Sequence, residues 1–210
     1  MQPNKTKLAL QIGTVILGAA CASSVLADSF NVTVNTLDDV TLAQVTPMAF
    51  GTSILTAASG TCAMDASVPG NVLMNGDGVV AQAGYGGLAG AGCVTGAADG
   101  TPGLYTITGE PTLAVNVTVT SEAQVGNFTF SPTGGCAVNY DNATATAATD
   151  DPCTPLVVAT PLVVNLPGAT DTLATAGEGY FTVGGTIVVG VGGLPSDTAN
   201  VATFLVDVVY

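Results

Sequence analysis

Residues 113–120 read Leu113-Ala-Val115-Asn-Val117-Thr-Val119-Thr120, with apolar and polar side chains alternating along the run. Successive side chains of an extended strand point to opposite faces, so this pattern buries one face of a sheet and wets the other. The pattern recurs. Phe30, Val32 and Val34 alternate with Asn31, Thr33 and Asn35, and Phe128 and Phe130 share a face in residues 125–131. Residues 202–210 alternate around Phe204, Val206 and Val208. No comparable helical period occurs in residues 28–210. Val and Thr are abundant, and both are stiff at the first side-chain torsion and favour strands. Asn75-Gly-Asp77-Gly78, between Val72-Leu-Met74 and Val79-Val-Ala81, predicts a hairpin turned at Asn75-Gly76. The expectation is an all-β chain: a single Ig-like antiparallel β-sandwich of about seven to ten strands with Gly/Thr-rich loops.

Three other stretches bear on that expectation. Residues 84–103 are rich in Gly and Ala and predict a long loop tethered by Cys93; residues 144–155 predict a second, tethered by Cys153. Thr154-Pro-Leu-Val-Val158 recurs as Thr160-Pro-Leu-Val-Val164, which reads as one kinked edge strand because each copy carries a proline. Residues 181–194 are apolar but are broken by Gly184-Gly185, Gly190 and Gly192-Gly193. That interruption predicts a buried strand pair, and the run is too short for a membrane helix.

Charge excludes more than any motif reveals. The 210 residues are 48% hydrophobic and only 8% charged, which suits a packed core rather than disorder. Asp and Glu total 15 against two basic residues and no His. The two are Lys5 and Lys7. Together with the apolar residues 8–20 and the small-residue site Val25-Leu26-Ala27, they read as a signal peptide over residues 1–27, cleaved before Asp28. Cys21 lacks the large aliphatic residue three positions upstream that lipidation uses. Residues 28–46 then form an N-terminal extension or first strand, and residues 47–210 the sandwich. No transmembrane helix remains after cleavage. A mature chain without Lys, Arg or His has nothing to neutralise phosphate, so nucleic acid is excluded as a partner. It also lacks the positive patch that docks on anionic lipid.

Export into an oxidising compartment implies that Cys62, Cys93, Cys136 and Cys153 form two disulfides. Three pairings are open. Sequence neighbours close the shortest loops, which favours Cys62–Cys93 and Cys136–Cys153. Zinc is disfavoured because there is no CxxC pair and no His.

The same residue types exclude most catalysis. Ser/His and Cys/His triads and phosphoryl transfer need side chains the mature chain does not have. A carboxylate pair is the remaining enzymatic route. The acids sit mostly in turn contexts, and no Asp-Thr/Ser-Gly signature occurs. The chain therefore reads as a non-enzyme without a cofactor. Asn75-Gly-Asp77-Gly78 echoes half of a calcium loop, but no Glu closes it. Four sequons, at Asn31, Asn116, Asn127 and Asn142, are matches that a Thr-rich chain produces by chance.

The C-terminal third carries a resemblance. Leu173-Ala-Thr-Ala-Gly177, Tyr180-Phe-Thr-Val-Gly184-Gly-Thr-Ile187-Val-Val-Gly190 and the closing Phe204-Leu-Val-Asp-Val-Val-Tyr210 resemble a secreted bacterial family. So does Pro47-Met-Ala-Phe50-Gly51-Thr-Ser-Ile54. The family is the domain-of-unknown-function family 4402 (DUF4402), which has no assigned activity. Two cysteine loops and the segment Leu194-Pro-Ser-Asp-Thr-Ala-Asn200 depart from its pattern. Its sandwich and final strand are similar to those of pilus subunits assembled by a periplasmic chaperone and usher.

These observations make the chain an exported structural protein, secreted through the periplasm to the cell surface or beyond. The expected role is a subunit of a surface filament or pilus, or a cell-surface adhesive protein, that self-associates by β-strand addition. Phe30, Val32 and Val34 are the candidate assembly residues, because an alternating segment can join a neighbour's open sheet through its backbone and fill alternate pockets with its side chains. The other reading of residues 30–35 is the first strand of the protein's own sandwich. The alternative is a monomeric surface or periplasmic binding module for glycan or calcium.

Overall fold

The computed structural model describes residues 39–57, 59–66, 84–94, 99–123, 127–133, 135–138, 153–170, 175–195 and 200–210, and the backbone of 74–75 and 78–79. The strands in chain order are β1 (Thr41–Thr46), β2 (Thr61–Met64), β3 (Met74–Asn75), β4 (Gly78–Val79), β5 (Leu88–Ala89), β6 (Gly103–Thr108) and β7 (Ala114–Ser121). They continue as β8 (Phe128–Thr133), β9 (Cys136–Val138), β10 (Cys153–Pro155), β11 (Leu162–Asn165), β12 (Glu178–Val189) and β13 (Phe204–Val209). Among the described residues there is no helix, and none is long and apolar enough to cross a membrane. The chain is an all-β sandwich in which every strand pairing is antiparallel.

β12 is the spine. Its first half pairs with β6 and, through Phe181, with β9; its second half pairs with β2 and β8. β1 flanks β6, β5 flanks β2 and β10 flanks β9, completing the large sheet. The small sheet has the order β11-β7-β13. The alternation in residues 113–120 now has its physical cause. Val115, Val117 and Val119 of β7 are buried, while Asn116, Thr118 and Thr120 look outward. Each buried valine contributes about 1.5–3 kcal/mol. They meet Tyr105 and Ile107 of β6, Ala137 of β9, Phe181 and Val183 of β12, and Val164 and Leu166 in the core between the sheets.

The large sheet is covered on its other face too. Leu104, Val138, Tyr180 and the cysteines 136 and 153 form a second cluster, with Tyr85 packed on it. Thr182, fully buried, donates its hydroxyl to the carbonyl of Ala66 at 2.9 Å and accepts from the amide of Cys136 at 3.2 Å. A strand buried on both faces reads as a continuous apolar run rather than an alternation. This explains residues 181–194. The sequence predicts a strand pair there, but the structure has one twelve-residue strand followed by a turn at 190–193. Gly184 and Gly185 are not a turn; they are sites of close approach. A Cβ on Gly184 would lie 2.6 Å from the Met64 carbonyl oxygen, and one on Gly185 would lie 2.2 Å from the Phe130 ring.

Two further expectations need correction. The Thr-Pro-Leu-Val-Val repeat is not one kinked strand. Its copies fall in different sheets, β10 in the large one and β11 in the small one, because the chain crosses between layers at residues 156–161. In the β3–β4 hairpin Asn75 pairs with Gly78, so residues 76–77, not Asn75-Gly76, make the connection. The loop expected at residues 144–155 ends in strand, because Cys153–Pro155 pair with β9 as β10; its residues 144–152 and the expected strand at residues 30–35 lie outside the described residues. Disulfides join Cys62 to Cys93 and Cys136 to Cys153, with sequence separations of 31 and 17. Loops of that length are worth about 3–4 kcal/mol each in the chain-entropy account.

Gly184→Val is expected to destabilise the chain by about 3 kcal/mol in urea unfolding, because the obstructing atom is backbone. Val191→Thr, at a side chain 91% exposed, should stay within about 0.5 kcal/mol. Burial pushes the Tyr85 hydroxyl up from 10.0 to about 12. The neutral form is therefore favoured on folding. Its contribution is complete below pH 10 and is lost as pH rises from about 10 to about 12. Tyr85→Phe should flatten the fall in stability over that window, measured by urea unfolding at each pH.

A candidate strand-accepting groove

The two sheets differ in width. At the level of Phe181 the large sheet reaches from β10 through β9, β12 and β6 to β1, while the small sheet stops at β13. β1 therefore has no strand opposite it. Leu42 and Gln44 sit beside Ile107 and Tyr105 of β6 and share their inward face. Yet Leu42 is 40% exposed and Gln44 is exposed. The other wall shows the same deficit. Phe204, Val206 and Val208 of β13 pack on the core but are only half-buried. β13 pairs with β7 alone, so among the described residues its outer edge has no strand partner.

At the Phe204 end of β13 lies an open groove of about 860 Å³. Phe128 and Phe130 of β8, Ile187 of β12 and Phe204 of β13 line it, together with Met48, Phe50, Ile54, Leu194 and Val201. Aromatic rings run through its base: Phe50 to Phe130 at 6.4 Å, Phe130 to Phe204 at 5.9 Å, and Phe204 to Tyr105 at 6.0 Å. Tyr105 stacks in turn on Phe181 at 5.1 Å. Burial raises the Tyr105 hydroxyl above its ordinary value, and the 3.4 Å hydrogen bond from the Gln44 side chain opposes that shift.

The outer wall, residues 47–56, belongs to neither sheet. Ala49 exchanges backbone bonds with Thr101 at 2.7 and 2.8 Å. Leu55 donates to Gly92 and Val94 donates to Ser53, both at 2.8 Å, bracketing a bridge between Ile54 and Cys93. Leu194 donates to Thr56 at 3.0 Å. At the far end of β13 the Glu110 amide donates to the Tyr210 hydroxyl at 2.6 Å, which pins that end to the turn after β6. β1 begins at this same end, since Thr41 pairs with Thr108.

Among the described residues no charged side chain lines the groove. It presents an aromatic floor, an aliphatic rim and an unpartnered strand edge, which together suit an extended, uncharged segment with alternating apolar side chains. Among the described residues no three Asp, Glu or Cys side chains gather to hold a metal ion. The four cysteines are in the two disulfides, and Phe30, Val32 and Val34 lie outside the described residues. Sequence reasoning found Phe128, Phe130 and Phe204 as strand residues and residues 47–54 as a motif, but not that they converge. No family model, curated protein or solved structure matches the chain.

Proposed function

We propose that the chain is a non-enzymatic structural subunit of a surface filament, of the pilus kind or a related adhesive structure, built by β-strand addition. The observation that carries this reading is the open edge: among the described residues β13 has no outer partner, and an apolar groove opens at its Phe204 end. The occupant is residues 30–35 of a second copy. Phe30, Val32 and Val34 repeat every second residue, as do Phe204, Val206 and Val208 on the receiving strand. Seating the three side chains supplies about 5–9 kcal/mol before ordering costs. A periplasmic chaperone and usher would be the partners that shield the open edge before assembly.

Geometry gives the assembly a direction. Residues 36–40 join the donor segment to β1, which starts at the Tyr210 end of the sandwich. A donor lying antiparallel to β13 places its own body at the Phe204 end of the acceptor. Copies then stack head to tail, an open contact that grows into a filament rather than a closed ring.

In the antiparallel register residue 33 lies opposite residue 205. Thr33→Cys combined with Leu205→Cys should yield a ladder of covalent multimers on oxidation, and neither single variant should. A folded double variant that stays monomeric on denaturing gels would sink the proposal. Fifteen acids without a basic partner in residues 28–210 repel between copies. Multimer yield should accordingly rise with salt or calcium; light scattering that is flat from low salt to calcium buffer contradicts this.

A further inference from the structure

We infer that the Cys62–Cys93 disulfide is the fastening of the groove, so that the acceptor wall forms only after these two thiols are oxidised. The inference rests on the strand-addition reading, since it concerns the same groove. The wall, residues 47–56, is tied to the rest of the chain by backbone bonds to residues 92, 94, 101 and 194. Three of those four anchors lie in the long connection between β2 and β6, whose described strands, β3, β4 and β5, are only two residues each. A mostly exposed segment held by a few bonds to another loop opens at little cost.

The disulfide changes that. Cys93 is the very residue bridged to Ile54 of the wall. Cys62 lies in β2 opposite Ile187 of β12, and Ile187 lines the groove. Wall and floor are thus joined by the path Ile54, Cys93, Cys62, Ile187, with one covalent bond at its centre. The other disulfide has no such position: Cys136 and Cys153 sit in the cluster on the opposite face of the large sheet, with Leu104 and Tyr180.

The bond is also closed off. Cys62 is 1% exposed and Cys93 8%. A disulfide-class oxidant does not reach sulfurs so covered, because exchange needs direct contact with one of them. Oxidation therefore precedes closure of the wall. In that step the two thiols lose two protons and two electrons, the S–S bond forms, and a disulfide-class oxidant accepts the electrons and becomes a dithiol. Until then the chain can offer residues 30–35 but cannot receive them.

The test compares two double variants of the full chain, Cys62→Ser/Cys93→Ser and Cys136→Ser/Cys153→Ser, by sedimentation and negative-stain microscopy. The first should keep a β-sheet circular-dichroism spectrum and cooperative unfolding, yet lose multimer yield by about tenfold or more. Mixed with the unaltered chain it should shorten the multimers, because it still donates. The second should lose stability but still assemble. Assembly of the first within about twofold of the unaltered chain overturns the inference. Should that variant fail to fold, amide exchange in the oxidised unaltered chain decides. Leu55 and Val94 amides protected like those of β7 support the fastening; exchange far faster than β7 with the disulfide intact overturns it. If the unaltered chain never forms multimers, the strand-addition reading falls, and the exchange comparison alone judges the disulfide.

Discussion

β12 is paired along both edges, to β6 and β2 on one side for nearly its whole length and to β9 at Phe181 and β8 on the other. Such a strand cannot shift register without breaking two ladders and turning every side chain to the wrong face. Its glycines are part of this. Gly184 admits the Met64 carbonyl and Gly185 admits the Phe130 ring, so neighbours press against bare backbone. Phe130, held there, becomes the floor of the groove. The position of the candidate site thus follows from two missing side chains in the central strand.

Half-buried strands were legible and doubly buried ones were not. β7 and β8 announce themselves because each has a wet face, and a wet face selects Asn, Thr and Ser at every second place. β12 has core on both faces, so its sequence carries no period, and its glycines mimic a turn. The Thr-Pro-Leu-Val-Val repeat misleads for a related reason. A five-residue string can enter either sheet, and the layer it joins is set by partners far away in sequence, β9 for one copy and β7 for the other.

The groove was the least legible feature. Its aromatic residues come from three separate stretches, and each alone reads as ordinary core. What makes it a groove is a difference in sheet width, which no local pattern encodes. The one sequence clue was indirect: the alternating residues 30–35 look like a strand, and β13 is one of the edge strands of the described fold, lying over a groove that is left open.

The pinned end of β13 has a mechanical consequence. The rungs of an antiparallel ladder lie across the strands. In a chain of copies joined through β13, tension along the filament slides this strand against β7 instead of peeling it away. All six paired positions then bear load together, from Phe204 against Ser121 to Val209 against Asn116. The Tyr210 hydroxyl held by the Glu110 amide adds a latch beyond the last rung. A sheet loaded in shear gives way only when its rungs fail together, so a joint made on this strand resists a pull far better than the same bonds opened one at a time.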